Sequence, residues 1–251
     1  MTALTVAFVG QCHTVGYPGV PPDAAFPEVC RADLQAARAD RQVRVQLQPY
    51  YHPSELVEAV SEALAQRPRV VVIEVVGWLA VVGTRAVDLS RLPSGVRSAY
   101  ERVRHFRHMA HAVTKRLPRG AELITTRIAG SVLKPLLPRY PRPSVAEYES
   151  AVLHALELVR DAPGVDAVLQ GPGAPNLTLD ARGIAGDAIA RYREVREMAQ
   201  RAASTHDVLF VDRWDTITSA FYTDNSVRPT AGAHSVWGHL LAAELLRAGL
   251  V

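Results

Sequence analysis

Two cysteines, Cys12 and Cys30, are all the chain has, too few for a disulfide framework; this scarcity points to a reducing compartment. Lysine occurs only at Lys115 and Lys134, so arginine carries almost all the basic charge. Aromatic residues are 6% of the chain and form no stripe interleaved with basic residues. With a net charge of only +3, this argues against a nucleic-acid partner. No long apolar run exists either. The longest, Val70 to Gly83, carries Glu74 and is too short to span a bilayer. No basic segment precedes the first apolar run, which is itself too short for a signal peptide. The expectation is a cytoplasmic protein with no membrane partner.

What the chain does have is apolar residues, 48% of 251, ample for a core. Strand and helix signals alternate along it. Val6 to Val9 predicts a strand. Phe26 to about Ala39 predicts a helix, with Phe26, Val29, Cys30, Leu34 and Ala37 at helical spacing. Val43 to Leu47 is a second strand, and Pro53-Ser54-Glu55 opens a second helix. Val70 to Val76 is a third strand, whose unbroken apolar character suits burial on both faces. Regular alternation then stops. Residues from about 85 to 143 are rich in arginine, histidine and proline and predict a helical, lid-like insertion within one domain spanning 1–251. Beyond it come a helix at Val145 to Val159, a strand at Asp166 to Leu169, a helix from about Gly186 to Ala203 and a strand at Val208 to Val211. A last helix from about Ser235 to Ala248 ends at Gly249. Five strands joined by crossover helices predict a parallel sheet.

The carboxyl ends of parallel strands are where chemistry collects. The first strand runs into Gly10-Gln11-Cys12-His13-Thr14, which delivers a thiol and an imidazole there. Far along the chain, His234 stands just before the last helix. An early nucleophile and a late base suit acyl transfer. A thiol ionises with a reference pKa of about 8.5, so it needs less help than an alcohol.

In this order of parts the chain resembles the SGNH/GDSL hydrolases. Their first strand leads into Gly-Asp-Ser-x-Thr, with the serine as nucleophile, and they close on Asp-x-x-His before a helix. Here the matching stretches are Gly10-Gln11-Cys12-His13-Thr14 and Ala231-Gly232-Ala233-His234. The segment from Arg191 to Asp212 is similar to the family's approach to its fifth strand. The resemblance implies a flavodoxin-like three-layer α/β sandwich around a five-stranded parallel sheet. It also implies catalytic roles for Cys12 and His234 on an ester or thioester, free or carrier-bound, with no cofactor and no metal.

Several family residues are replaced. Gln11 and Cys12 stand for Asp and Ser, and Ala231 stands for the final Asp. No glycine occurs in Pro49-Tyr50-Tyr51-His52-Pro53, and Trp78 falls near the position of the family's Asn. The side chains left to support an oxyanion or orient the base are therefore His52, Trp78, Asn176 and Asp224. Each has a structural alternative: Cys12 as a small buried hydrophobe, His234 as a capping or core histidine, Trp78 as an aromatic wall. His13 is a second candidate base, set against by the divergence of neighbouring side chains on an extended segment. His105, His108 and His111 recur every third residue among arginines and read as a solvated helix face. The pair Cys12–His234 is expected in one cleft, at about 3–4 Å. The other reading, from a different class, is a non-catalytic protein that binds a ligand in the same cleft.

Overall fold

The computed structural model describes residues 3–16, 20–50, 52–77, 143–175, 185–222 and 229–251. The expected insertion, Trp78, Asn176 and Asp224 lie outside these residues, as does the side chain of Cys12. The described elements, in chain order, are β1 (Ala3–Gly10), α1 (Cys12–Val15), α2 (Phe26–Ala37), β2 (Gln42–Pro49), α3 (Pro53–Ala65) and β3 (Val70–Glu74). After the insertion come α4 (Val145–Arg160), β4 (Asp166–Gln170), α5 (Ala185–His206), β5 (Leu209–Val211) and α6 (Ala231–Arg247).

All strand pairings are parallel, and the order across the sheet is β2-β1-β3-β4-β5. This is the flavodoxin-like winding. Strand alternation divides the core into two halves. Ala7, Val9, Val71, Ile73 and Leu169 face a cluster built with α3, α4 and α5, including Leu56, Val60, Tyr148, Leu156 and Met198. Val6, Phe8, Val70, Val72, Val168 and Val211 face the other cluster, with Phe26 and Leu34 of α2 and Trp237, Leu241 and Leu245 of α6. All five residues of β3 are buried, as its apolar run requires. The expected three-layer sandwich is thus present. Among the described residues, no helix is long and apolar enough to cross a membrane.

Of the boundaries that differ from the sequence reading, three have a clear local reason. β3 stops at Glu74 rather than Val76. There the Val76 N–H leaves the ladder and donates to the Tyr148 hydroxyl at 2.8 Å, while the Tyr50 hydroxyl holds the Glu74 carbonyl at 2.6 Å. α6 starts at Ala231, because the Thr230 side chain caps it by accepting from the Ala233 N–H. His234 therefore sits inside the first helical turn, not in the loop before it. Finally, Cys12–Val15 is a turn of helix, closed by Gly16 at φ +82°, not an extended loop.

Candidate active site

Three of the described strands end in residues that share one face of the sheet. Gly10, Glu74 and Gln170 are the last residues of β1, β3 and β4, and each continues the row that faces α2 and α6. Arg213 follows two residues beyond Val211, the end of β5, in the same phase. Glu74 and Gln170 are direct register partners.

Glu74 is the centre of the cluster and is 1% exposed. One oxygen, Oε1, lies 3.0 Å from Nη1 of Arg213 and 3.5 Å from Nδ1 of His13. The other, Oε2, accepts the Thr14 hydroxyl at 2.9 Å and the Gln11 N–H at 3.3 Å. Gly10 is required for this arrangement. A Cβ at that position would run into the Thr14 hydroxyl and stand only 2.6 Å from Oε2 of Glu74. Burial, the largest single influence, pushes the Glu74 carboxyl upward, and the Arg213 guanidinium is the largest of the influences that oppose it. With further help from His13 and Thr14, the group is held well below the usual carboxylate range. Arg213 is itself buried, donates Nε–H to the Gly171 carbonyl at 2.8 Å, and lies over the Trp237 ring at 4.5 Å.

His234 faces the same cluster from α6 and is fully buried. Its ring centre is 6.1 Å from that of His13 and 5.6 Å from that of Trp237. Its Nδ1 accepts the backbone N–H of Phe26 at 3.2 Å, which satisfies one of the orphan donors that open α2. An imidazole that accepts at Nδ1 carries its neutral-state proton on Nε2. Burial, and then the nearby charge of His13, pull the ring down to about 3 despite the opposing pull of Glu74. The ring is thus a neutral Nε2–H donor that also caps a helix.

That neutrality has a measurable consequence. A free histidine titrates near about 6.5, so between there and about 3 the unfolded chain binds a proton that the folded ring refuses. Stability then falls as pH falls through this window, by about 2 kcal/mol at pH 5. His234→Gln retains an acceptor for the Phe26 N–H and does not titrate. Urea midpoints at pH 7.5 and pH 5 should therefore differ less in that variant than in the parent. Equal differences would mean that His234 is not held neutral.

His52 stands at the N-terminus of α3 and turns back on it. Its Nδ1 accepts the Ser54 N–H at 3.2 Å and lies 2.8 Å from the Ser54 hydroxyl, a capping arrangement. The expected Cys12–His234 distance depends on a side chain outside the described residues. The backbone nevertheless puts Cys12 at the start of α1, one residue from His13. Among the described residues, no group of His, Cys, Asp and Glu is arranged to hold a metal. Glu74, Arg213 and Gln170 were not singled out from the sequence as site residues. Gln170 is fully buried with neither atom of its carboxamide hydrogen-bonded, at a cost of about 1–3 kcal/mol for a group left so. Its place at the carboxyl end of a central strand is the one sequence signal that could have marked it.

No family model matches the chain, and no curated protein matches it. Solved structures do. The lipase/acylhydrolase from Enterococcus faecalis superposes with a TM-score of 0.60 at 14% identity, over 98% of this chain and 96% of that one. A lipolytic protein of the G-D-S-L family from Desulfitobacterium hafniense gives 0.56 at 14% identity, over 96% and 99%. An acetyl xylan esterase gives 0.57 at 12% identity, over 98% and 99%. The chain has the fold of these GDSL-type proteins across nearly its full length.

Proposed function

We propose that this chain is an acyl-processing enzyme acting on an ester or thioester bond, with Cys12 as nucleophile and His234 as its imidazole partner. The observation that carries the reading is convergence. Two histidines distant in sequence, a buried carboxylate and a buried guanidinium meet at the strand-edge turn that Cys12 opens. Carboxylate, imidazole and thiol at the carboxyl edge of a parallel sheet are the parts of nucleophilic acyl chemistry. The fold shared with a lipase/acylhydrolase and an acetyl xylan esterase supports the same reading.

In this reading Cys12 loses its proton to solvent and attacks the acyl carbonyl as thiolate, the leaving group departs as its anion and takes a proton from solvent, and an acyl-Cys12 thioester remains. Water or another acceptor then takes the acyl group. His234 contributes as a neutral Nε2–H donor to the negative charge that develops on the acyl oxygen, since its Nδ1 is engaged by Phe26. Such a donor role suits a ring whose protonation is opposed chiefly by burial and also by the nearby Arg213 guanidinium.

A second reading, a non-catalytic binding protein, is favoured by one observation. His234 is buried and caps α2, so a structural duty already accounts for it. Turnover of p-nitrophenyl acetate before and after iodoacetamide separates the two. Cys30 serves as an internal control, because burial pushes its thiol far up and leaves it inert at neutral pH. Turnover that disappears as one thiol, Cys12, is alkylated supports the enzyme. Absence of turnover, with both acetyl ester and acetyl thioester, supports the binding protein.

A further inference from the structure

The site holds two imidazoles, and their geometries are complementary. His234 accepts at Nδ1 and is sealed from solvent. His13 has the opposite polarity. Its Nδ1 faces Oε1 of Glu74 at 3.5 Å, and its side chain keeps 15% exposure. A ring whose Nδ1–H points at a carboxylate has its lone pair on Nε2. Glu74 can serve as a fixed reference for that ring because buried neighbours stand at both of its oxygens. Arg213 holds one oxygen, and the Thr14 hydroxyl and Gln11 N–H hold the other. The case against His13 from an extended segment does not apply, since Cys12–Val15 is helical. Successive residues on a helical turn still diverge. His13 is therefore assigned to the water that attacks the acyl group rather than to the thiol.

We propose that His13 is the proton carrier of the hydrolytic half-reaction, and that Glu74 is its positioning residue. The step rests on the Cys12 reading above. A water oxygen bonds to the carbonyl carbon of the acyl-Cys12 thioester while Nε2 of His13 takes one water proton. The carbon–sulfur bond then breaks with Cys12 leaving as thiolate, and the imidazolium releases its proton to solvent, from which the thiolate is reprotonated. A carboxylic acid leaves, and thiol and imidazole are restored. His234, with a proton already on Nε2, cannot accept this one without a change of hydrogen-bond partner.

The experiment follows acyl-enzyme rather than activity alone. With p-nitrophenyl acetate in excess, His13→Gln is expected to keep the first burst of nitrophenol. Its steady-state rate should fall by about a hundredfold, the usual worth of one acid–base group. Intact-mass spectrometry should find the variant acetylated at Cys12, where the parent is mostly free. Glu74→Gln should accumulate the same adduct. His13→Ala should regain deacylation when imidazole is added to the buffer, which a misfolded site would not do. A His13→Gln protein that deacylates as fast as the parent overturns the proposal, as does a His13→Ala adduct that imidazole leaves untouched. If the parent itself forms neither burst nor adduct, the Cys12 reading fails first, and this step falls with it.

Discussion

Arg213→Met should destabilise the protein by about 3–5 kcal/mol, the usual consequence of removing one member of a buried ion pair. Arg213 is 2% exposed and its guanidinium sits 3.0 Å from a carboxylate that is equally buried. Without it, Glu74 keeps the Thr14 hydroxyl and the Gln11 N–H, which do not neutralise a charge. The variant also loses the stacking of the guanidinium on Trp237, worth about 1–2 kcal/mol at a dry site. A double variant, Arg213→Met with Glu74→Leu, separates the two contributions. It should be more stable than Arg213→Met alone, because no unpaired charge remains. Urea denaturation of the parent, both single variants and the double variant gives the coupling energy. A coupling near zero would mean that the pair is solvated and not an organising element of the site.

The same pair sets the behaviour in acid. The Glu74 carboxyl is held below its ordinary value, chiefly by Arg213 working against burial. Its contribution to stability is therefore full above about pH 4.3, where the unfolded carboxyl is also ionised, and is lost as pH falls further. His234 acts earlier, from about pH 6.5 downward. Acid unfolding should therefore show two stages, and Arg213→Met should weaken chiefly the second, since Arg213 also helps to keep His234 neutral.

The sheet was legible in the sequence because its signals are local and repeated. The apolar run at Val70 to Ile73, the period-two faces of β1 and the helical spacing of α2 each state their burial independently. Their sum left little freedom in topology. The site was legible only where a residue follows a strand end or opens a helix that the chain order itself reveals, as Cys12 and His13 do after β1 and His234 does in α6. Glu74 was visible as a charge within an apolar run, but its partner lies far along the chain, beyond the insertion. One arginine among many gives no sign of being the buried one. Thr230 did carry a helix-start signal, and it fixes the polarity of His234 by drawing that residue into the first turn of α6. The bond from Phe26 to His234 joins the starts of two helices, a contact that no periodicity encodes.

Cys12→Ala should reduce turnover to the uncatalysed background, and Cys12→Ser should recover little of it. The second outcome is the more informative. A serine hydroxyl must lose its proton to a base as it attacks, whereas a thiol is already ionised in part near neutral pH. His234 is poorly suited to that duty, with Nδ1 held by Phe26 and its ring pulled down to about 3. His13 has a carboxylate behind it, but it follows residue 12 on a helical turn, where adjacent positions do not face each other. The chain also has Trp78 where the resemblance would put an amide donor, and losing one oxyanion donor costs about a hundred- to a thousandfold in serine enzymes. Cys12→Ser should therefore run at least about a hundredfold below the parent on p-nitrophenyl acetate. A serine variant as fast as the parent would mean that a carboxylate-backed histidine reaches residue 12, with Glu74 and His13 or Asp224 and His234 completing a triad. An alanine variant as fast as the parent would remove Cys12 from the chemistry and leave the buried charges at the sheet edge as parts of a binding site.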